Sequence, residues 1–75
     1  METGRIGRRI KAFRKLKGYT QIDLAKALHV SISELRGVER GMKEATDSFL
    51  DQVAVTLAIA KEEIIGETDD LKEAE

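Results

Sequence analysis

A chain of 75 residues without proline or cysteine is one small domain, with no internal linker, no disulfide and no thiolate metal site. Its net charge of −1 hides a division: residues 1–43 hold eleven Lys and Arg against four acids, a balance of +7, and residues 44–75 hold two Lys against ten acids, −8. Separated halves predict a molecule with one basic face, so the overall acidity does not exclude a polyanionic partner.

Apolar residues recur at helical spacing throughout, and an all-α fold is expected. Ile6, Ile10 and Phe13 make the stripe of a first helix that closes at Lys17-Gly18, a basic last turn followed by a glycine stop. Thr20 is placed to cap a second helix, because its hydroxyl can accept from an unpaired N–H of the first turn. Leu24, Ala25 and Leu28 give that helix its buried face, and it ends near Leu28. Ser31, with Glu34 three residues on, predicts a capping box for a third helix whose apolar side is Leu35 and Val38. Gly41 stops it. Thr46 or Asp47 opens a fourth helix with Phe49, Leu50, Val53, Ala54 and Leu57 inward. Lys61 to Ile65 forms a brief fifth turn of helix that packs Ile64 and Ile65. The boundaries expected are a folded domain over 1–66 and an acidic tail over 67–75 that frays.

The third helix carries the most information. At about 100° per residue, with Leu35 at 0°, Val38 falls at about 300° and the buried direction lies between them. Ser33, Arg36, Gly37 and Arg40 then fall on the outer face, and Glu39 at the margin of the buried one. A solvated helix ordinarily fills its outer face with Glu, Lys, Gln and Ala. This one has removed bulk from that face and left cations on it.

Two short helices joined through His29-Val30-Ser31 match the helix-turn-helix pattern. The stretch Thr20–Gly41, TQIDLAKALHVSISELRGVERG, resembles the phage-repressor and Cro-like (xenobiotic-response-element type) helix-turn-helix transcriptional regulators. The likeness rests on Thr20-Gln21, Leu24-Ala25, Val30-Ser31 and Glu39-Arg40-Gly41 together, and it extends over residues 4–66. It implies a compact five-helix, lambda-repressor-like DNA-binding domain with the third helix in the major groove. Carried over by position, Gln21 and the start of the second helix clamp a phosphate. Ile32, Ser33, Arg36 and Gly37 face base edges, and Arg40 and Lys43 approach the backbone. Arg14 pairs with Glu39 as a structural lock. Ser31 both caps the helix and turns its positive end to the DNA. Ile32 is open to two roles, contact with a thymine methyl or packing at the helix rim.

This chain departs from the family in having His29 where the turn usually has glycine. The histidine is either a strained turn residue or a pH-sensing or ligand group. Gly37 is unusual in a helix and costs up to about 1 kcal/mol relative to Ala. Either it admits close approach to DNA or nothing contacts it.

The function implied is a sequence-specific double-stranded DNA-binding transcriptional regulator, a repressor acting as a homodimer on a near-palindromic operator. Ile59 and Ile65 mark the candidate dimer fringe. The alternative is an antitoxin-like or anti-repressor module that binds a protein through the acidic half. An enzyme is not expected: Glu62 and Glu63 are adjacent and so diverge on a helix, and no nucleophile–base pair is evident. No cofactor or metal is implied. The uncharged stretch Val53–Ala60 is eight residues, far short of the roughly 20 that cross a bilayer, and the N-terminus lacks an apolar signal core. A cytoplasmic, nucleoid-associated protein of bacterial or phage origin is expected.

Overall fold

The computed structural model describes residues 2–66, which form five helices and no strand. They are α1 (Glu2–Leu16), α2 (Gln21–Leu28), α3 (Ile32–Glu39), α4 (Asp47–Leu57) and α5 (Lys61–Ile65). The expected fraying of residues 67–75 lies outside the described residues.

The helices start where short polar side chains offer an acceptor. Thr20, Ser31 and Thr46 sit in extended conformation, and each hydroxyl accepts from the backbone N–H three residues on, at 3.0, 3.0 and 3.1 Å. The two-way capping box falls on α2, not on α3. The Asp23 carboxylate accepts from Thr20 N at 3.1 Å, whereas the Glu34 carboxylate turns towards Lys43, 4.0 Å away. The Thr20 backbone N–H, and next its hydroxyl, hold the Asp23 carboxyl below the ordinary carboxylate range.

One hydrogen-bond pattern closes the first four helices. In each, the N–H of the left-handed residue reaches back three positions and the next N–H reaches back five. After α1 and α3 that residue is Gly18 or Gly41; after α2 and α4 it is His29 (φ 60°) or Ala58 (φ 58°). His29 is therefore the strained turn residue of the two alternatives, exposed and donating its backbone N–H to Lys26 O at 3.2 Å. Ala58 pays the same steric penalty, which the sequence did not reveal, since alanine is the best helix former.

Ile10, Leu24, Leu28, Leu35, Val38, Leu50, Val53, Leu57 and Ile64 form the aliphatic core, shared by all five helices. Burying each such side chain contributes about 1.5–3 kcal/mol. Ile6, Phe13, Phe49 and Ile65, expected inward, are only half-buried and pack against this cluster from its edge. The contact of α1 with α3 is set by Gly7. A Cβ there would lie 2.2 Å from Val38 O and 2.7 Å from Glu39 O, so only glycine lets α1 lie against the last turn of α3.

Melting of two variants tests this packing. Gly7→Ala should lose about 1–3 kcal/mol through overpacking against backbone that cannot yield. Ala58→Gly should gain about 1 kcal/mol by relieving the left-handed strain, or roughly 4–8 °C in Tm for a domain of this size. A neutral Gly7→Ala would contradict the close approach, and a destabilised Ala58→Gly would contradict the strain.

Candidate nucleic-acid interface

The inner end of α3 is fixed by a buried ion pair. Arg14 Nε donates to Glu39 Oε2 at 2.7 Å and its Nη2 to Oε1 at 3.2 Å, with the two side chains only 7% and 3% exposed. The remaining Arg14 nitrogen, Nη1, donates to Tyr19 O at 3.0 Å, fastening the connection between α1 and α2. Gln21 adds a further donor, its Nε2 lying 3.1 Å from Glu39 Oε1. One carboxylate thus ties α1 and the first residue of α2 to the last turn of α3. The helix is held at one rotation about its axis, and its outer face follows from that.

That face presents Ser33, Arg36 and Arg40, all exposed, with the half-buried Gly37 among them. Ser31 caps the helix at its outward end. Ile32 is half-buried against the core, which favours packing at the rim over an outward contact. Lys43 folds back from the loop after α3, which Gly37 O anchors by accepting from Met42 N at 2.8 Å and Lys43 N at 3.1 Å. An added Cβ on Gly37 would meet Lys43 Cβ at 3.4 Å, which a flexible surface lysine can accommodate. Internal packing therefore does not demand glycine at this position.

Beside α3 lies an open basin of about 700 Å³, lined by Lys11, Arg14, Lys15, Gly18, Tyr19, Thr20, Gln21, Ile22 and Arg36. Its floor is the N-terminus of α2. The backbone N–H groups of Gln21 and Ile22 belong to the first turn and have no intrahelical acceptor, so positive charge and donors converge there. The expected residues separate into three groups. Gln21 and Arg36 border the basin; Ser31, Ser33, Gly37, Arg40 and Lys43 belong to the outer side of α3 and its following loop; Arg14 and Glu39 lie beneath.

The basic half of the chain is not all available to a ligand. Arg9 Nε donates to Glu63 O at 2.7 Å and Arg5 Nη2 to Ile65 O at 3.1 Å, so both arginines meet the negative end of α5. On the acidic side, Lys61 bridges Asp47 Oδ1 at 2.7 Å and Asp51 Oδ1 at 3.2 Å, tying α5 to α4. Hydrogen bonds from Asp47 and then Asp51 raise the Lys61 ammonium above its ordinary value. Ile59 and Ile65, the expected dimer fringe, pack half-buried against the core. The exposed aliphatic of α4 is Val55, at 81% exposure. Among the described residues no helix is long and apolar enough to cross a membrane.

Comparison with known proteins agrees with this geometry. The helix-turn-helix family matches residues 10–64. The chain is 47% identical over 64 residues to YazB, an uncharacterized HTH-type transcriptional regulator of Bacillus subtilis, covering 85% of this chain and 93% of that one. It is 40% identical over 68 residues to the immunity repressor protein of Bacillus phage phi105, covering 91% of this chain and 47% of the repressor. The crystal structure of the restriction-modification controller protein C.AhdI from Aeromonas hydrophila superposes with a TM-score of 0.78 at 29% identity, covering 83% of this chain and 94% of that one. The chain belongs to the helix-turn-helix family, as a transcriptional regulator related to phage repressors and controller proteins.

The Arg14→Ala variant tests the lock. It strands a buried carboxylate with Gln21 alone, and should cost about 3–5 kcal/mol, a large part of a small domain's stability. Replacing both partners, Arg14→Met with Glu39→Leu, should recover most of the loss. An unchanged melting temperature in Arg14→Ala would contradict the assignment.

Proposed function

We propose that this chain is a cytoplasmic repressor that binds a near-palindromic operator in double-stranded DNA as a homodimer. The observation that carries the reading is the juxtaposition of the cleared, cationic face of α3 with the basic basin at the start of α2. An eight-residue helix is about 12 Å long and 10–12 Å across, which suits a major groove about 12 Å wide. With α3 in the groove, Ser33 and Arg36 reach base edges, the arginine offering paired donors to guanine O6 and N7. Gly37 leaves room for the groove wall. One wall's phosphate enters the basin, where Lys11, Lys15 and the Gln21 and Ile22 N–H groups receive it. Arg40 and Lys43 meet the opposite backbone.

One such helix reads few base pairs, so useful discrimination needs two copies on half-sites about 34–36 Å apart. Val55 on the outer side of α4 is the apolar surface offered for pairing. The repressor role is supported by the phage repressor among the relatives. A second reading, a protein-binding module of antitoxin or anti-repressor kind, is supported by one observation. Val55 stands exposed in a surface shared with Asp51 and Gln52, away from the basic face.

Measured affinity for duplex DNA should fall linearly with salt on logarithmic axes, by about 0.9 per phosphate neutralised. Arg36→Ala should lose about 1–3 kcal/mol on the best site and relax preference at one base position. Salt-independent binding would favour the protein-binding module. An equal loss on every sequence would make Arg36 a phosphate contact.

A further inference from the structure

Gln21 stands between the buried lock and the outer face, and its amide is used on both sides. Its Nε2 donates to Glu39 Oε1 at 3.1 Å, and its Oε1 accepts from Arg36 Nε at 3.2 Å. The orientation of this amide is fixed by chemistry. A carboxylate only accepts and a guanidinium only donates, so a flipped amide would face both neighbours with the wrong atom. Gln21 is half-buried and begins α2, whereas Arg36 is exposed one turn into α3. An exposed arginine on a helix ordinarily samples many rotamers. This one is tethered at Nε.

The consequence for Arg36 is geometric. A guanidinium can meet guanine with its two terminal amino groups or with Nε and one of them. With Nε committed to Gln21, only the end-on fork of Nη1 and Nη2 remains, and these groups have no other acceptor among the described residues. The same glutamine has a second Nε2 hydrogen and a backbone N–H directed to the basin.

We propose that Gln21 is a specificity-determining positioning residue. It orients Arg36 for end-on recognition of one guanine and couples that recognition to the seating of a phosphate in the basin. The inference rests on the DNA reading above and adds to it that base preference at the Arg36 position depends on an acceptor at residue 21. The tether also lowers the conformational entropy lost when Arg36 enters the groove. Glu39 keeps both its Arg14 bonds when Gln21 is changed, so the fold survives the substitution.

Two variants separate acceptor from phosphate contact. Gln21→Met removes every polar atom at similar length; Gln21→Glu keeps the acceptor for Arg36 but repels phosphate. Selection from random duplexes with the full chain should show Gln21→Met losing roughly tenfold discrimination at the one position that Arg36→Ala also relaxes. Gln21→Glu should bind all duplexes more weakly and keep that preference. The Arg36 Nε–H resonance of the DNA-free protein should differ from those of other exposed arginines, and should lose that distinction in Gln21→Met. Retained preference in Gln21→Met, or an Arg36 Nε–H that never differed, overturns the proposal. A wild-type chain that selects no sequence defeats the DNA reading itself, while the resonance still reports whether the tether exists.

Discussion

The bidentate contact between Arg14 and Glu39 is the constraint on which the rest of the arrangement depends. Two charges taken out of water are costly, and their mutual attraction recovers that cost only with good geometry and satisfied hydrogen bonds. Here the guanidinium spends its donors on Glu39 and on Tyr19 O, and the carboxylate takes a further donor from Gln21. The energetic return over an apolar pair is small. What the pair supplies is definition: a Leu at residue 39 could pack at several rotations of α3, whereas this carboxylate satisfies its donors in one. Gly7 completes the device by letting α1 reach the backbone of the same turn.

Sorting the charges by partner explains how a chain with a net charge of −1 can serve a polyanion. Arg14 lies inside, and Arg5 and Arg9 cap the carbonyl end of α5. Lys11, Lys15, Arg36, Arg40 and Lys43 are exposed around α3 and the α2 N-terminus, while Lys61 is held by the acids of α4. Formal charge therefore overstates the basic face in one region and conceals it in the sum. The acidic helices lie away from that face, where they do not oppose a phosphate.

Much of the fold was legible because local signals agreed with one another. Thr20, Ser31 and Thr46 mark helix starts by chemistry that acts within three residues, and the stripes of α2, α3 and α4 follow a single period. What escaped depends on distant residues. Gly7 looks like any glycine within a helix, and only the carbonyls of Val38 and Glu39 give it a reason. The roles of Arg5 and Arg9 require α5 to pack across the end of α1. Ala58 is forced into the left-handed region so that Ile59 can turn back to the core, a demand that alanine does not advertise. Ser33 and Arg40 could be placed on the outer face from a helical wheel alone. The two-sided hydrogen bonding of Gln21 could not, because it joins three helices.

The central claim is that the exposed face of α3 and the start of α2 together form the DNA-contacting surface. The most direct test is titration of isotope-labelled protein with a short duplex at low ionic strength, following every backbone amide. Resonances of Gln21, Ile22, Ser31, Ser33, Arg36, Gly37 and Arg40 should move together and saturate, with little change along the outer side of α4 and α5. Shifts concentrated on α4 and α5, or none on any duplex, would contradict the account.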